Sequence, residues 1–211
     1  MVLFGEILTS VLKGARDMRQ ADIEERTEIK ERFDNSFTQK FGFPKKRAAN
    51  KVTSILRESH VNFIREAPFM VMATSDATGK CDASPKGGLP GFVKVLNEET
   101  LLLPDVAGNK LFQSYQNIEE NPNIGLIFFI PGLNETLRIN GRAKIISQNE
   151  VIDMKIKLEV SNPDEDAKIL QGVLVEVDEA YGHCPRAFNF SSLWDINQIN
   201  RNKGETAKLN G

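Results

Sequence analysis

The chain has 211 residues, of which 40% are hydrophobic and 27% charged, and its formal net charge is -2 at pH 7. This is the composition of a globular protein of one or two domains, and its charge provides no overall attraction for nucleic acid. No apolar run reaches the roughly 18 residues of a membrane span, and the N-terminal sequence lacks the basic region of a signal peptide. We therefore expect a cytoplasmic protein whose two distant cysteines, Cys81 and Cys184, are reduced.

Helical patterns dominate the first third of the chain. Met1–Met18 carries apolar pairs at helical spacing and is predicted to be a capping helix or a partner-packing helix. The charged stretch Gln20–Phe33 is predicted to be a solvated helix or an arm, and Pro44 interrupts any helix that follows. Asn50–Ala67 is predicted to be an amphipathic helix, in which His60 has no companion at ligand spacing and is interpreted as structural.

A strand, a tight turn and a second strand follow, and the rest of the chain is arranged around them. Phe69–Thr74 is apolar and bulky, and Asp76–Gly79 has turn chemistry. The next residues are small and polar, with a hydroxyl at Ser84 and a positive charge at Lys86. Exposed N–H groups in such a run can hold an anion. The stretch is therefore either a plain hairpin or the binding site of a phosphate-bearing ligand.

A second candidate for phosphate binding precedes the next predicted helix. Strands are predicted at Gly91–Leu96 and Thr100–Leu103, followed by a loop from Pro104 to Lys110 and a helix over about Leu111–Glu120. Gly108, Asn109 and Lys110 would lie at the start of that helix, where free backbone N–H groups and the positive end of the dipole attract phosphate. An ordinary helix cap explains the same residues.

The remaining strands indicate the fold class. Ile124–Ile130 is nearly continuously apolar and is predicted to be a strand buried on both faces, whereas Glu135–Ile146 alternates. Gly141 inside the alternating strand predicts a bulge or a close backbone approach. A helix is predicted over Asn149–Val160 and a further strand over Ile169–Val177. Short links between strands favour a mainly β, α+β fold with a small antiparallel barrel.

The chain is predicted to consist of an N-terminal helical region packed on the barrel (residues 1–66), the barrel domain (67–200) and a polar tail (201–211).

The sequence contains no nucleophile elbow, zinc-protease motif, Walker motif or Rossmann fingerprint. With two histidines in all, no metal site is expected, and the neighbouring His183 and Cys184 form a weak candidate for a reactive thiolate. No catalytic side chain is identified, so a bound cofactor is expected to supply the chemistry.

The sequence resembles the FMN-binding split-barrel superfamily, the pyridoxamine 5'-phosphate oxidase-like flavoproteins. Within it, the chain is similar to a bacterial class of FMN-dependent enzymes of unassigned substrate. The resemblance rests on motifs in consistent order between Asn50 and Asp195. These are PFMVMATSD (Pro68 to Asp76), DASPKGGLPGFV (Asp82 to Val93), LLLPDVAGNKL (Leu101 to Leu111), NIEENPNIGLIFFIPG (Asn117 to Gly132), ETLRINGRA (Glu135 to Ala143), and HCPRA followed by SLW (His183 to Trp194).

The resemblance implies an FMN site on the first hairpin and the loop before the helix. It assigns the flavin ring and ribityl chain to Ser84, Pro85, Lys86 and Gly87. It assigns the phosphate to Asn109 and Lys110, and the lining of the same pocket to Pro104 and Asp105. It further implies that Thr136 approaches the flavin from a partner subunit and that Arg186 and Trp194 lie in a C-terminal segment that closes the pocket.

The function that the resemblance implies is that of an FMN-dependent oxidoreductase acting on a small molecule, as a cytoplasmic homodimer with FMN at the interface. The substrate signature of the pyridoxamine 5'-phosphate oxidases proper, Arg-x-His near the C-terminus, is absent, so the substrate stays open. The alternative is a non-catalytic flavin, haem or F420-type binding or sensor protein on the same barrel. No nucleic acid or membrane partner is expected.

Overall fold

Seven strands in the described part of the chain form one sheet, in the order β2-β1-β5-β6-β7-β4-β3. The computed structural model describes residues 20, 23–106, 108, 110–158 and 168–204. The strands are β1 (Phe69–Ser75), β2 (Cys81–Gly87), β3 (Lys94–Asn97), β4 (Thr100–Val106), β5 (Asn123–Phe129), β6 (Thr136–Ser147) and β7 (Ile169–His183). Every pairing is antiparallel. Strands β2 and β3 are the two edges of the sheet and do not pair with each other, so the barrel is not closed. The antiparallel α+β split-barrel fold predicted from the sequence is confirmed.

Helices precede the sheet, connect its strands and follow it. They are α1 (residues 23–32), α2 (Ser36–Phe41), α3 (Lys46–Ala49), α4 (Glu58–Glu66), α5 (Gln113–Glu120), α6 (Gln148–Asp153), α7 (Arg186–Ser191) and α8 (Ile196–Gly204). The chain divides into two compact units between Lys51 and Val52, so α4 and the whole sheet belong to the second unit. The helix predicted at Met1–Met18 lies outside the described residues. The domain bounds predicted from the sequence, residues 1–66, 67–200 and 201–211, stay predictions.

The core is formed by the strand residues that alternate toward one face of the sheet. Met70 and Met72 of β1 are fully buried, as is Phe128 of β5. The opposite face of β5 carries Ile127 and Phe129, which are half-buried. Within the described residues this strand is therefore fully buried on one face and half-buried on the other, where Phe129 contacts Phe188, whereas its apolar run predicts burial on both.

The helix predicted over Asn50–Ala67 is shorter in the structure, where α4 covers Glu58–Glu66. The preceding residues are held by long-range backbone bonds instead. Thr53 forms a bridge with Ala180, with N–O distances of 3.1 and 2.7 Å, and the N–H of Leu56 donates to the carbonyl of Glu98. These bonds use the groups that a helix would need, so pairing with the sheet overrides the helical pattern.

Two features that border the candidate site also differ from the sequence expectation. Pro104 and Asp105 belong to β4, not to a loop. Beyond Leu102, β4 has no partner on the β3 side, so proline is tolerated there as on an edge strand. Helix α5 begins at Gln113, two residues later than expected, because Lys110 and Phe112 have positive φ values of 60° and 43°.

Candidate functional site

A cavity of about 270 Å³ lies where β2, the end of β4, the residues after β4 and the first turn of α5 meet. Polar residues from all of these segments line it, together with a few apolar ones. The polar lining residues are Asp82, Ser84, Lys86, Asp105, Lys110, Gln113, Ser114 and Tyr115. This set combines positive charges, carboxylates and hydroxyls, which makes the cavity the strongest candidate for a ligand site in the described part of the chain.

The period of strand β2 determines which of its side chains point to the core face. Asp82, Ser84 and Lys86 pair with Thr74, Met72 and Met70 of β1, whose side chains are buried. Paired residues share a face, so the three polar side chains point inward at the edge of the sheet. Ala83 and Pro85 of the same strand point outward and also line the cavity.

A hydrogen-bonded network centred on Tyr115 joins β2, β4, β7 and α5. The Lys86 ammonium donates to the Tyr115 hydroxyl at 3.0 Å and lies 4.9 Å from the centre of its ring. Tyr115 donates in turn to Asp105 Oδ1, and the Gln171 amide donates to Asp105 Oδ2 at 3.1 Å. Burial, and then the bond to Asp105, raise the pKa of Tyr115, so the phenol stays protonated as a donor.

A second hydroxyl of α5 faces the other carboxylate of the cavity. Ser114 donates through Oγ to Asp82 Oδ2, and Ser114 itself is buried. Farther along α5, Asn117 donates to the Thr74 hydroxyl of β1 at 3.0 Å. These bonds hold α5 against β1 and β2, so its first turn stays at the cavity wall.

The first turn of α5 lies at the wall of the cavity, with Gln113, Ser114 and Tyr115 among its lining residues. Its cap residue, Phe112, provides no side-chain hydrogen bond, and no helix carbonyl is available to the N–H groups of Gln113 and Ser114. Lys110, which is exposed, lines the same end of the cavity. A helix start beside an ammonium group is a suitable site for an anion.

The structure brings five of the residues predicted for the cofactor site into this cavity: Ser84, Pro85, Lys86, Asp105 and Lys110. Pro104 borders a smaller adjoining cavity that also touches Lys86, Asp105 and Tyr115. Gly87 ends β2 opposite Phe69 and does not line the main cavity. Asn109 lies outside the described residues. The ligand roles of all these residues stay predictions.

Three further residues of the predicted site lie elsewhere in the single chain. Thr136 is buried at the start of β6, opposite Phe129 and His183. Arg186 begins α7, with its guanidinium 5.1 Å from the ring centre of Phe190. Trp194 stacks on Phe188 and donates to the carbonyl of Leu133 at 3.0 Å. None of the three lines the cavity, so their predicted roles toward a ligand stay predictions.

Sequence reasoning missed four residues of the site: Asp82, Ser114, Tyr115 and Gln171. One signal for Tyr115 was available, since Ser114, Tyr115 and Ile118 share the buried face of α5. A buried tyrosine needs a partner for its hydroxyl, and that requirement indicates a nearby acceptor. Nothing local in the sequence indicates Gln171, which reaches Asp105 from 66 residues away.

The histidines and cysteines offer no second centre in the described residues. His60 is buried and accepts a hydrogen bond from the backbone N–H of Arg57 at 3.2 Å, which gives it a structural role. Cys81 and Cys184 are both free and exposed. Among residues 20, 23–106, 108, 110–158 and 168–204, no three His, Cys, Asp or Glu side chains are grouped to hold a metal ion.

No helix within these ranges has the length and apolar character that a membrane crossing requires.

Comparison with known proteins identifies a family for the region that contains the cavity. The family model described as pyridoxamine 5'-phosphate oxidase matches residues 56–179. No curated protein matches the chain.

The solved structures that the chain matches include an FMN-binding protein from Syntrophomonas wolfei, with 10% identity and a TM-score of 0.45, covering 82% of this chain and 97% of that one. HupZ from Group A Streptococcus has 16% identity and a TM-score of 0.44, with 60% of this chain and 93% of that chain covered. An F420 reductase has 15% identity and a TM-score of 0.39, with 61% and 98% covered.

Proposed function

The chain belongs to the pyridoxamine 5'-phosphate oxidase family, and on that premise we propose that it is an FMN-dependent oxidoreductase acting on a small molecule. The observation that carries the proposal is the cavity between β2 and α5, which combines an end suited to an anion with a few apolar lining residues. In this proposal the protein works in the cytoplasm, in agreement with its two free thiols.

The residues of the cavity fit FMN by the chemistry of their donors. Lys110 and the first N–H groups of α5 form a donor set suited to a phosphate, and the Ser84 hydroxyl is a polar partner suited to the ribityl chain. Leu111, Phe112 and Leu170 supply apolar surface for a planar ring. The volume of about 270 Å³ is slightly below the roughly 300–1,000 Å³ typical of such sites, so part of the ligand would extend beyond the single chain.

When bound, FMN would supply the redox chemistry, accepting and releasing one or two electrons. The protein would bind and orient the cofactor and place fixed charges beside it. Lys86 is fixed by the Tyr115 hydroxyl and provides a positive charge at a set position, which would stabilise negative charge that develops on a reduced ligand. Tyr115 keeps its proton because of burial and the bond to Asp105, so it acts as an anchor rather than a base.

We include a homodimer in the proposal because β1 and β5 carry partly exposed apolar side chains on the outward face of the sheet. Phe69 is 39% exposed and pairs with Phe129, while Val71 pairs with Ile127 on the same outward face. Pro85, which lines the cavity, lies opposite Val71 and belongs to this face too. A second copy packed here would border the cavity and enclose the exposed part of the ligand. It could also bring its own Thr136, Arg186 or Trp194 to the site.

The first test is the identity of the ligand. Purified protein is expected to be yellow, to show the flavin absorption bands and to release FMN on denaturation. Protein that is colourless and takes up no added FMN would refute the proposal. Faster oxidation of reduced nicotinamide than with free FMN would support the enzyme, and binding without turnover would favour the flavin carrier or sensor.

The second test addresses Lys110. Lys110→Ala is expected to weaken FMN binding about tenfold or more, because it removes one charge-assisted hydrogen bond to the phosphate. Lys80→Ala, an exposed lysine in the hairpin turn that does not line the cavity, is the matched control and should leave the affinity unchanged. Equal affinities for the two variants, measured by flavin fluorescence titration, would remove the phosphate role of Lys110.

A further inference from the structure

The cavity carries two carboxylates as well as two ammonium groups, and the carboxylates are not equivalent. Asp105 is buried and accepts hydrogen bonds from Tyr115 and Gln171. Asp82 is only half-buried and lies at the first turn of α5, where its Oδ2 accepts the hydroxyl of Ser114. Asp82 therefore places a negative charge at the end of the cavity proposed for the phosphate.

A carboxylate at this position competes with an anionic ligand. It is stabilised by the positive end of the α5 dipole, which would otherwise favour the phosphate. It also engages the Ser114 hydroxyl and adds direct repulsion, which is weakly screened in a partly enclosed site. Among the described residues Lys86 forms no ion pair with Asp82, and its ammonium donates to Tyr115. At the phosphate end, the main opposing charges on the lining are thus Lys110 and Asp82.

We infer that Asp82 is a specificity-determining residue, which limits the preference of the cavity for a phosphorylated flavin over the same flavin without its phosphate. The inference rests on the proposed function, because it concerns the ligand of the same site. In this inference the charge of Asp82 is what matters, and not its hydrogen bond. An uncharged side chain of the same shape could still accept the hydrogen bond from the Ser114 hydroxyl.

The experiment compares the affinities of FMN and riboflavin for the full-length protein and its variants. Asp82→Asn removes the charge and retains an oxygen that can accept from Ser114. We expect the ratio of FMN affinity to riboflavin affinity to rise about tenfold, and the rise to shrink as salt is added. Asp153→Asn changes the same charge on an exposed residue of α6 that does not line the cavity, and should leave the ratio unchanged.

The outcomes separate this inference from the proposed function. Binding of both flavins with the same ratio in wild type and Asp82→Asn overturns the role of Asp82 and leaves the flavin site standing. Wild-type protein that binds neither flavin overturns the proposed function and this inference with it. If Asp82→Asn does not fold, Asp82→Ser also removes the charge, and the same rise in the ratio is expected.

Discussion

Tyr115 is the residue at which the hydrogen bonds of the cavity meet. It accepts from Lys86 of β2 and donates to Asp105 of β4, so one hydroxyl joins two strands that are not neighbours in the sheet. Without that hydroxyl, the buried carboxylate of Asp105 would keep the Gln171 amide as its side-chain donor among the residues that the structure describes. A buried charged group that loses a hydrogen bond is costly, so the network is expected to contribute to stability as well as to the site.

Replacing this tyrosine tests the network. Tyr115→Phe is expected to lower the free energy of unfolding by about 1–3 kcal/mol, because it removes a donor to Asp105 and an acceptor for Lys86. Tyr181→Phe is the matched control, since Tyr181 is half-buried and its ring lies against Arg138; it should change stability by less than about 0.5 kcal/mol. Urea unfolding measures both. A loss no larger in Tyr115→Phe than in Tyr181→Phe would show that the network adds no stability.

His60 shows how a buried titratable group makes folding depend on pH. Burial, and then the charge of Arg57, lower the pKa of His60 in the folded state below its ordinary value near 6.5. The unfolded chain therefore binds the proton more readily than the fold does. The stability that neutral His60 gives to the folded state is fully present above pH 6.5. It is lost as the pH falls from 6.5 through the pKa of His60 in the folded protein.

Stability measured by urea unfolding is accordingly expected to fall between about pH 7 and pH 5. His60→Asn keeps an acceptor near the Arg57 N–H and does not titrate, so the fall should be smaller in this variant. The same pH dependence in wild type and variant would exclude His60 as its source.

At the scale of secondary structure, the strand pair β6–β7 shows why one glycine is required. The register shifts between Asn140 and Gly141, which confirms the bulge or close approach predicted from the sequence. A Cβ on Gly141 would come within 2.0 Å of the Glu176 carbonyl oxygen. That oxygen belongs to the backbone of the longest strand, so it cannot move without disturbing the pairing.

Gly141→Ala is therefore expected to destabilise the protein by about 3 kcal/mol, at the upper end of overpacking effects. Gly182→Ala lies on the partner strand, where a Cβ meets nothing within 4 Å, and is expected to cost less than about 1 kcal/mol. Thermal or urea unfolding compares the two variants. A Gly141→Ala protein as stable as Gly182→Ala would contradict the close approach.

At the scale of the whole molecule, the outward face of β1 and β5 carries partly exposed apolar side chains, of which Phe129 also contacts Phe188 of α7. The apolar side chains of this face alternate with the buried ones on the same strands, β1 and β5. Partly exposed apolar side chains grouped on a sheet are typical of an interface, and Pro85, which lies opposite Val71 on this face, also lines the cavity. The dimer and the binding site are thus expected to depend on each other.

Light scattering tests the assembly. The wild-type protein is expected to have twice the chain mass of 23.6 kDa. Ile127→Lys places a charge in the proposed interface and should yield monomers with weaker FMN binding. Ile152→Lys alters an isoleucine that is 60% exposed on α6 and should remain dimeric. A wild-type monomer that binds FMN, or an Ile127→Lys dimer, would contradict this arrangement.

The sequence by itself determined the antiparallel strands, the first hairpin and the bulge at Gly141, because period, turn residues and glycine act over a few neighbouring positions. Five of the proposed site residues could be placed near one another through family resemblance. Only the tertiary structure decided that Thr53 pairs with Ala180, which shortens the predicted helix, and that Tyr115 links Lys86 to Asp105. Such contacts join groups far apart along the chain, and they form because buried polar groups must find partners wherever folding brings them together.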